Sequence, residues 1–249
     1  MQKVAIITGA SSGLGQSFAL NVKRYFDIDE LWLIARREDR LVQLSKELPI
    51  ATKVITLDLA DTACIQRYMD ILNKQKPNVT LLINNAGLGY YGEFIDMSVQ
   101  KIYSMVDVNI RALTAVTNAT LPYMAAGGRI LNVSSIASFV PNAYMSVYSS
   151  TKAYVTSFSR AVRYELKGRK IKVTAVCPGP MATEFEKVGE VTSKRFNRLP
   201  FCKVESVVKG SLKAVKRGKL IYTNRLIYKF YRLLAKVLPL AWLVPIAKC

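Results

Sequence analysis

Short runs of apolar, often β-branched residues recur along the 249-residue chain, with helical patterns between them. The strand-like runs fall at residues 4–7, 31–34, 53–57, 81–83, 129–133 and 171–176. Helical spacing fills residues 16–25, 40–48, 62–75, 99–120 and 149–166, among others. Strands this uniformly apolar have no wet face, so both sides of their sheet must be covered. Alternation with helices makes that sheet parallel. Such sheets take ligands at the carboxyl ends of their strands, near the switch in strand order. The residues just after each strand are therefore the ones to read for chemistry.

The first strand runs into Thr8-Gly9-Ala10-Ser11-Ser12-Gly13-Leu14-Gly15, and an amphipathic helix follows. Strand, glycine turn and helix in that order let the backbone approach a diphosphate, whose charge then sits at the positive helix end. Side chains at Gly9, Gly13 and Gly15 would hold the phosphates away, and the turn visits angles that cost other residues energy. Ser11, Ser12 and Leu14 ride on the same loop. The expected fold is thus a Rossmann-like doubly wound parallel sheet in a single α/β domain over residues 1–223, followed by a basic, apolar helical tail over 224–249.

Each later strand end adds a candidate. The second ends in Ala35-Arg36-Arg37, where dinucleotide folds often place an acid for the ribose hydroxyls. Two cations would instead attract a 2′-phosphate, although a basic pair at a helix start also suits solvent. Asp58-Leu59 follows the third strand, with an acid suited to accept from an adenine amino group. Asn84-Asn85-Ala86-Gly87 follows the fourth, where small and amide residues let the chain pass beside a flat ligand; a plain turn would accept them equally.

Histidine is absent. Its absence removes Ser-His-Asp hydrolases, cysteine–histidine proteases and histidine-ligated metal sites. The four cysteines (Cys64, Cys177, Cys202, Cys249) are scattered without a CxxC pair, so neither zinc nor a disulfide framework is indicated and no metal is expected. Acid–base work falls to Tyr, Lys, Asp, Glu or Cys. The fifth strand ends Asn132-Val133-Ser134-Ser135, and Tyr148-Ser149-Ser150-Thr151-Lys152 follows on a helix. Tyr148 and Lys152 lie one turn apart on one face. A phenol is a poor acid at neutral pH, but a nearby ammonium favours the phenolate and brings it toward the working range. Ser135, at the carboxyl end of the sheet, could polarise the same substrate oxygen. A Tyr-x-x-x-Lys pair arises easily by chance; its placement after a serine-bearing strand, in a chain opening on a nucleotide loop, gives it weight.

Together, Thr8 to Gly15, Asn84-Asn85-Ala86-Gly87, Asn109, Ser135, Tyr148, Lys152 and Pro178-Gly179 with Thr183 resemble the short-chain dehydrogenases/reductases, in order and spacing, over about residues 1–185. The resemblance implies that Tyr148 protonates a carbonyl oxygen while a nicotinamide delivers hydride to the carbon. Ser135 would steady the oxygen, Lys152 would also bind the nicotinamide ribose, and Asn109 would hold a water in a proton relay. Pro178, Gly179 and Thr183 would carry the carboxamide, and Ala35-Arg36 resembles the family's NADP-preferring pattern. The implied protein is an NADPH-dependent oxidoreductase of ketones or aldehydes. A nucleotide-binding sensor or scaffold of the same fold is the alternative, favoured only by loss of Ser135, Tyr148 or Lys152, all of which are present.

Residues 184–200 read as a lid, and Tyr90, Phe94, Phe139, Tyr144 and Phe185 as an apolar substrate wall or as ordinary rim packing. The end departs from the commonest family members, whose glycine-rich C-terminus builds a tetramer. Residues 219–223 could be a last strand, and a homodimer through helices near Arg111 and Tyr154 is expected. Of the net charge of +19, +10 lies in residues 203–249, where eleven Lys or Arg face the single acid Glu205. Basic residues there alternate with bulky aliphatics, so nucleic-acid binding is not expected. Leu226, Ile227, Phe230, Leu233, Leu234, Val237 and Leu238 recur at helical spacing, with Arg225, Lys229, Arg232 and Lys236 opposite, before an apolar stretch carrying Trp242. Such a segment suits an anionic membrane interface, or packing over the sheet edge or a partner subunit. The first apolar run is too short for a secretory segment. The expected location is cytoplasmic, with peripheral contact at the inner face of a membrane.

Overall fold

The computed structural model describes residues 2–185 and 199–247. Seven strands form one sheet: β1 (Lys3–Thr8), β2 (Glu30–Ala35), β3 (Ala51–Thr56), β4 (Asn78–Asn84), β5 (Met124–Val133), β6 (Lys172–Val176) and β7 (Ile221–Tyr222). Every pairing is parallel. The order is β3-β2-β1-β4-β5-β6-β7, so the winding reverses between β1 and β4 and leaves a crevice at their carboxyl ends.

Alternate strand residues feed two apolar layers. Ala5 and Ile7 of β1 and Leu31 and Leu33 of β2 join one; Val4, Ile6, Trp32 and Ile34 join the other. The first layer is covered by α1 (Gly13–Val22), α2 (Glu38–Glu47) and α7 (Val204–Lys216), through residues such as Phe18, Leu41 and Leu212. The second is covered by α3 (Cys64–Gln75) and α5 (Leu113–Thr120), through Tyr68, Leu72 and Val116. Burying each such side chain contributes about 1.5–3 kcal/mol. That two-sided demand is why the strands carry no polar alternation.

The helices differ from the sequence pattern where local backbone rules act. Helix α1 begins at Gly13, not near residue 16, because Ser12 is extended and ends the loop there. The long helix expected over 99–120 is divided into α4 (Val99–Val106), a π-helical stretch (Asp107–Ala112) and α5. Such wide turns are rare and frequent at functional sites; this one carries Asn109, fully buried. Helix α6 (Ser146–Glu165) follows β5. The tail forms α8 (Leu226–Val237) and then α9 (Leu240–Ile246), the latter over a proline-interrupted stretch in which the sequence pattern marks no helix. No helix among the described residues is long and apolar enough to cross a membrane.

Candidate active site

A cleft of about 860 Å³ opens at the carboxyl ends of β1, β4 and β5. Of the residues expected from the sequence to do catalysis or hold the cofactor, all line it except Gly15 and Asn109. Gly15 acts one layer back: a Cβ there would lie 2.1 Å from the Gly9 carbonyl and 2.5 Å from Asn85 Nδ2. Only glycine lets α1 close against the loop. A Cβ on Gly9, at φ +66°, would come within 2.8 Å of Ala86 Cα. Asn85 ties these parts together, its Nδ2 donating to Thr8 O (3.0 Å) and Gly9 O (3.1 Å) while its backbone N–H donates to Thr8 Oγ1 (3.0 Å). No side chain caps α1, whose first turn holds no acid. Its leading amides therefore have an anion-binding polarity toward the cleft.

At the adenosine end the two arginines separate. Among the described residues, the carboxylate that Arg36 approaches is that of Asp58, at 4.0 Å. Arg37 donates to Ser12 Oγ (2.8 Å), Ser11 Oγ (3.2 Å) and Glu184 (2.9 Å). Asp58 also accepts from Ala60 N at 3.0 Å, a local turn that fixes its carboxylate beside Leu59.

At the other end, α6 presents Tyr148 and Lys152. Lys152 is buried; its Nζ donates to Val133 O (3.0 Å) and lies 5.7 Å from the centre of the Tyr148 ring. Burial lowers this ammonium from 10.5 to about 8. Ser134 anchors α6 to β5, its hydroxyl donating to Lys152 O at 2.8 Å. Ser135 accepts from Ala137 N at 3.1 Å, which fixes its oxygen at the cleft wall and leaves its proton to donate. Asn109 donates from Nδ2 to Leu88 O (2.8 Å) and Thr151 Oγ1 (2.9 Å), and its Oδ1 accepts from Leu88 N (2.9 Å). Both side-chain N–H groups are therefore committed, and within the side chain the second lone pair of Oδ1 is what remains for a water. A Cβ on Gly87 would press on Lys152 Nζ (3.1 Å) and Asn109 Oδ1 (3.2 Å), so glycine keeps open a space that both groups border.

Several partners carry no sequence signal. Gly89 lies under the Tyr148 ring, where a Cβ would approach to 2.5 Å, and Phe185 packs on that ring with centroids 5.5 Å apart. Tyr228 of α8 is fully buried over Gly179, where a Cβ would come within 2.2 Å of the ring; its hydroxyl donates to Pro200 O (2.6 Å). Gly179 therefore meets a tail residue as well as the cleft. Helices α8 and α9 and the turn between them form part of the cleft wall through Phe230, Tyr231, Leu234, Leu238 and Leu243. Tyr90 and Phe185 line the cleft as well. The other expected wall residues do not. Phe139 packs on Tyr231 and Tyr144 on Tyr91, while Phe94 is exposed. Of the lid read over residues 184–200, the stretch 186–198 lies outside the described residues.

This chain belongs to the short-chain dehydrogenases, whose family profile matches residues 3–192. It is 37% identical over 192 residues to sulfoacetaldehyde reductase 2 of Chromohalobacter salexigens, across 74% of this chain and 75% of that protein. Among solved structures it is similar to a short-chain dehydrogenase from Sphingobium yanoikuyae in complex with NADPH (TM-score 0.81, 28% identity, 93% of this chain and 92% of that one). It is similar also to the bulky-bulky ketone specific alcohol dehydrogenase from Comamonas testosteroni (TM-score 0.76, 27% identity, 95% and 92%).

Proposed function

We propose that this oxidoreductase uses NADPH to reduce bulky, apolar ketones or aldehydes, and oxidises the corresponding alcohols in reverse. The observation that carries this reading is one cleft with two ends. A glycine cradle and an arginine lie at one; Ser135, Tyr148 and Lys152 lie at the other, beneath an apolar wall from α8 and α9. The cradle fits a dinucleotide because Gly9, Gly13 and the first turn of α1 leave backbone where side chains would block it. Arg37 would meet the 2′-phosphate, Asp58 and Leu59 the adenine, Tyr148 and Lys152 the nicotinamide ribose, and Pro178, Gly179 and Thr183 the carboxamide. The NADPH held by the Sphingobium relative supports the cofactor assignment. When bound, NADPH supplies the hydride.

The chain's own groups manage the proton and the charge. Tyr148 donates its phenolic proton to the carbonyl oxygen, and Ser135 donates a hydrogen bond to the same atom. The Lys152 ammonium stabilises the resulting phenolate. The space beside Gly87, bordered by Lys152 Nζ and Asn109 Oδ1, is where a water would return the proton. The substrate reading is supported by the aromatic and aliphatic wall and by the name of the Comamonas relative. NADPH absorbance across steroid, fatty-acyl, aromatic and sugar carbonyls tests it: apolar carbonyls should react fastest, and a preference for sugars or sulfonates would reject it.

A second reading concerns the outer face of the tail. Leu226, Leu233 and Val237 are 56–79% exposed on α8, and Trp242 of α9 is 65% exposed. Arg225, Lys229 and Lys236 flank them. We infer that this ridge rests in an anionic membrane interface at the cytoplasmic face, while the inner face of the same helix lines the cleft. Co-sedimentation with anionic vesicles at low salt tests it; the Leu233→Glu/Val237→Glu variant should stay in the supernatant while wild type pellets. If both stay in solution, the ridge has another role. Exposed Val99 and Tyr103 of α4 and Tyr164 of α6 support a homodimer through those helices, to be checked by light-scattering mass.

A further inference from the structure

The carboxylate of Glu184 lies in the grip of two guanidinium groups. It accepts from Arg37 Nη1 at 2.9 Å and from Arg40 Nη1 at 2.6 Å. Arg37 is held by the serines of the glycine loop, and Arg40 stands in the first turn of α2. Three separate parts of the chain thus converge on one anion: the β1–α1 loop, the start of α2, and the segment after β6. The place matters. Glu184, Arg37, Ser11 and Ser12 line the cleft at its adenosine end, beside Ala35, Arg36 and Asp58. Hydrogen bonds from Arg40, Arg37 and Ser12 lower the Glu184 carboxyl to about 2, so it is charged at any working pH.

On the reading that NADPH is the cofactor, we propose that Glu184 is a built-in stand-in for its 2′-phosphate. Glu184 occupies a clamp formed by Arg37 and Arg40, and an incoming phosphate must displace it. Arg40, which the sequence pattern does not mark and which stands behind Glu184, becomes a further cation of the phosphate pocket beside Arg37 and Arg36. The exchange favours phosphate because a phosphate monoester carries about −1.5 to −2 at pH 7 and three acceptor oxygens. It is nevertheless an exchange, and the bonds forfeited by Glu184 set how far NADPH is preferred to NADH. Both arginines and Glu184 are 40–42% exposed, so solvent screens the contest and the effect is moderate.

Calorimetric titration of adenosine 2′,5′-bisphosphate and of 5′-AMP into the full-length protein separates the possibilities without catalysis. Glu184→Gln should tighten the bisphosphate about three- to tenfold and leave 5′-AMP within about twofold, in line with two partly screened ion pairs. Arg40→Gln should weaken the bisphosphate by a similar factor, and the gain from Glu184→Gln should shrink in the Arg40→Gln background. Unchanged 5′-AMP binding shows that each variant is folded. If the parent protein prefers the bisphosphate but Glu184→Gln leaves that affinity unchanged or weakens it, Glu184 props the arginines and the stand-in role is wrong. If the parent protein binds both nucleotides equally, the NADPH assignment itself fails.

Discussion

Lys152 is a charge held where burial disfavours one, and its titration gives a residue-level test. Unfolded, the side chain keeps its proton up to about 10.5; folded, it loses it above about 8. Between those values the unfolded chain binds more protons, so this residue makes stability rise with pH, whereas below about 8 the full cost of burying the ammonium is present. In the cofactor-free protein, Lys152→Met should therefore gain stability relative to wild type at pH 7 and lose most of that advantage by pH 10. Melting temperatures at the two pH values check it, and a pH-independent difference would contradict it. Such a residue was legible in the sequence because its chemistry is tied to a fixed offset from Tyr148 on one helix, as Ser135 is tied to a strand end. Gly89, Tyr228, Arg40 and Glu184 were not. Their roles arise from approaches between segments far apart in the chain, and no local pattern encodes that a ring will cross a given glycine.

At the scale of elements, the strands could be read from apolar runs, because a sheet covered on both faces leaves the pattern no freedom. The tail was harder. Its apolar residues divide between two surfaces of α8: Tyr228, Tyr231 and Leu234 turn inward, while Leu226, Leu233 and Val237 turn outward. One amphipathic stripe in the sequence therefore stands for a cleft wall and an exposed ridge together. The contact that seats α8 is Tyr228 on Gly179, and it makes a sharp prediction. Gly179→Ala should destabilise by about 1–3 kcal/mol through overpacking, and Tyr228→Ala by about 3–5 kcal/mol through the lost ring. In the Tyr228→Ala background, Gly179→Ala should cost almost nothing, since the obstacle is gone. Additive losses in denaturant unfolding would mean that the two residues do not meet. The π-helical stretch at Asp107–Ala112 left no trace in the sequence either, since its residues continue the helical pattern. It brings Asn109 under Leu88 and Thr151 all the same.

Across the whole molecule, the sheet supplies a fixed platform, the glycine loop and arginines a place for a dinucleotide, and the tail an apolar wall over the reacting groups. In the proposed mechanism all of these parts converge on a proton delivered from Tyr148 to a carbonyl oxygen. The direct test compares wild type with Tyr148→Phe in NADPH-dependent reduction of the best apolar carbonyl, with NADPH affinity measured on both proteins by fluorescence titration. The substitution keeps the ring that packs on Gly89 and Phe185 and removes only the hydroxyl. General acid catalysis is worth about 10²–10⁴ in rate, so turnover should fall by at least about a hundredfold while NADPH affinity stays within a few-fold. A Tyr148→Phe protein that kept most of its turnover would contradict this mechanism.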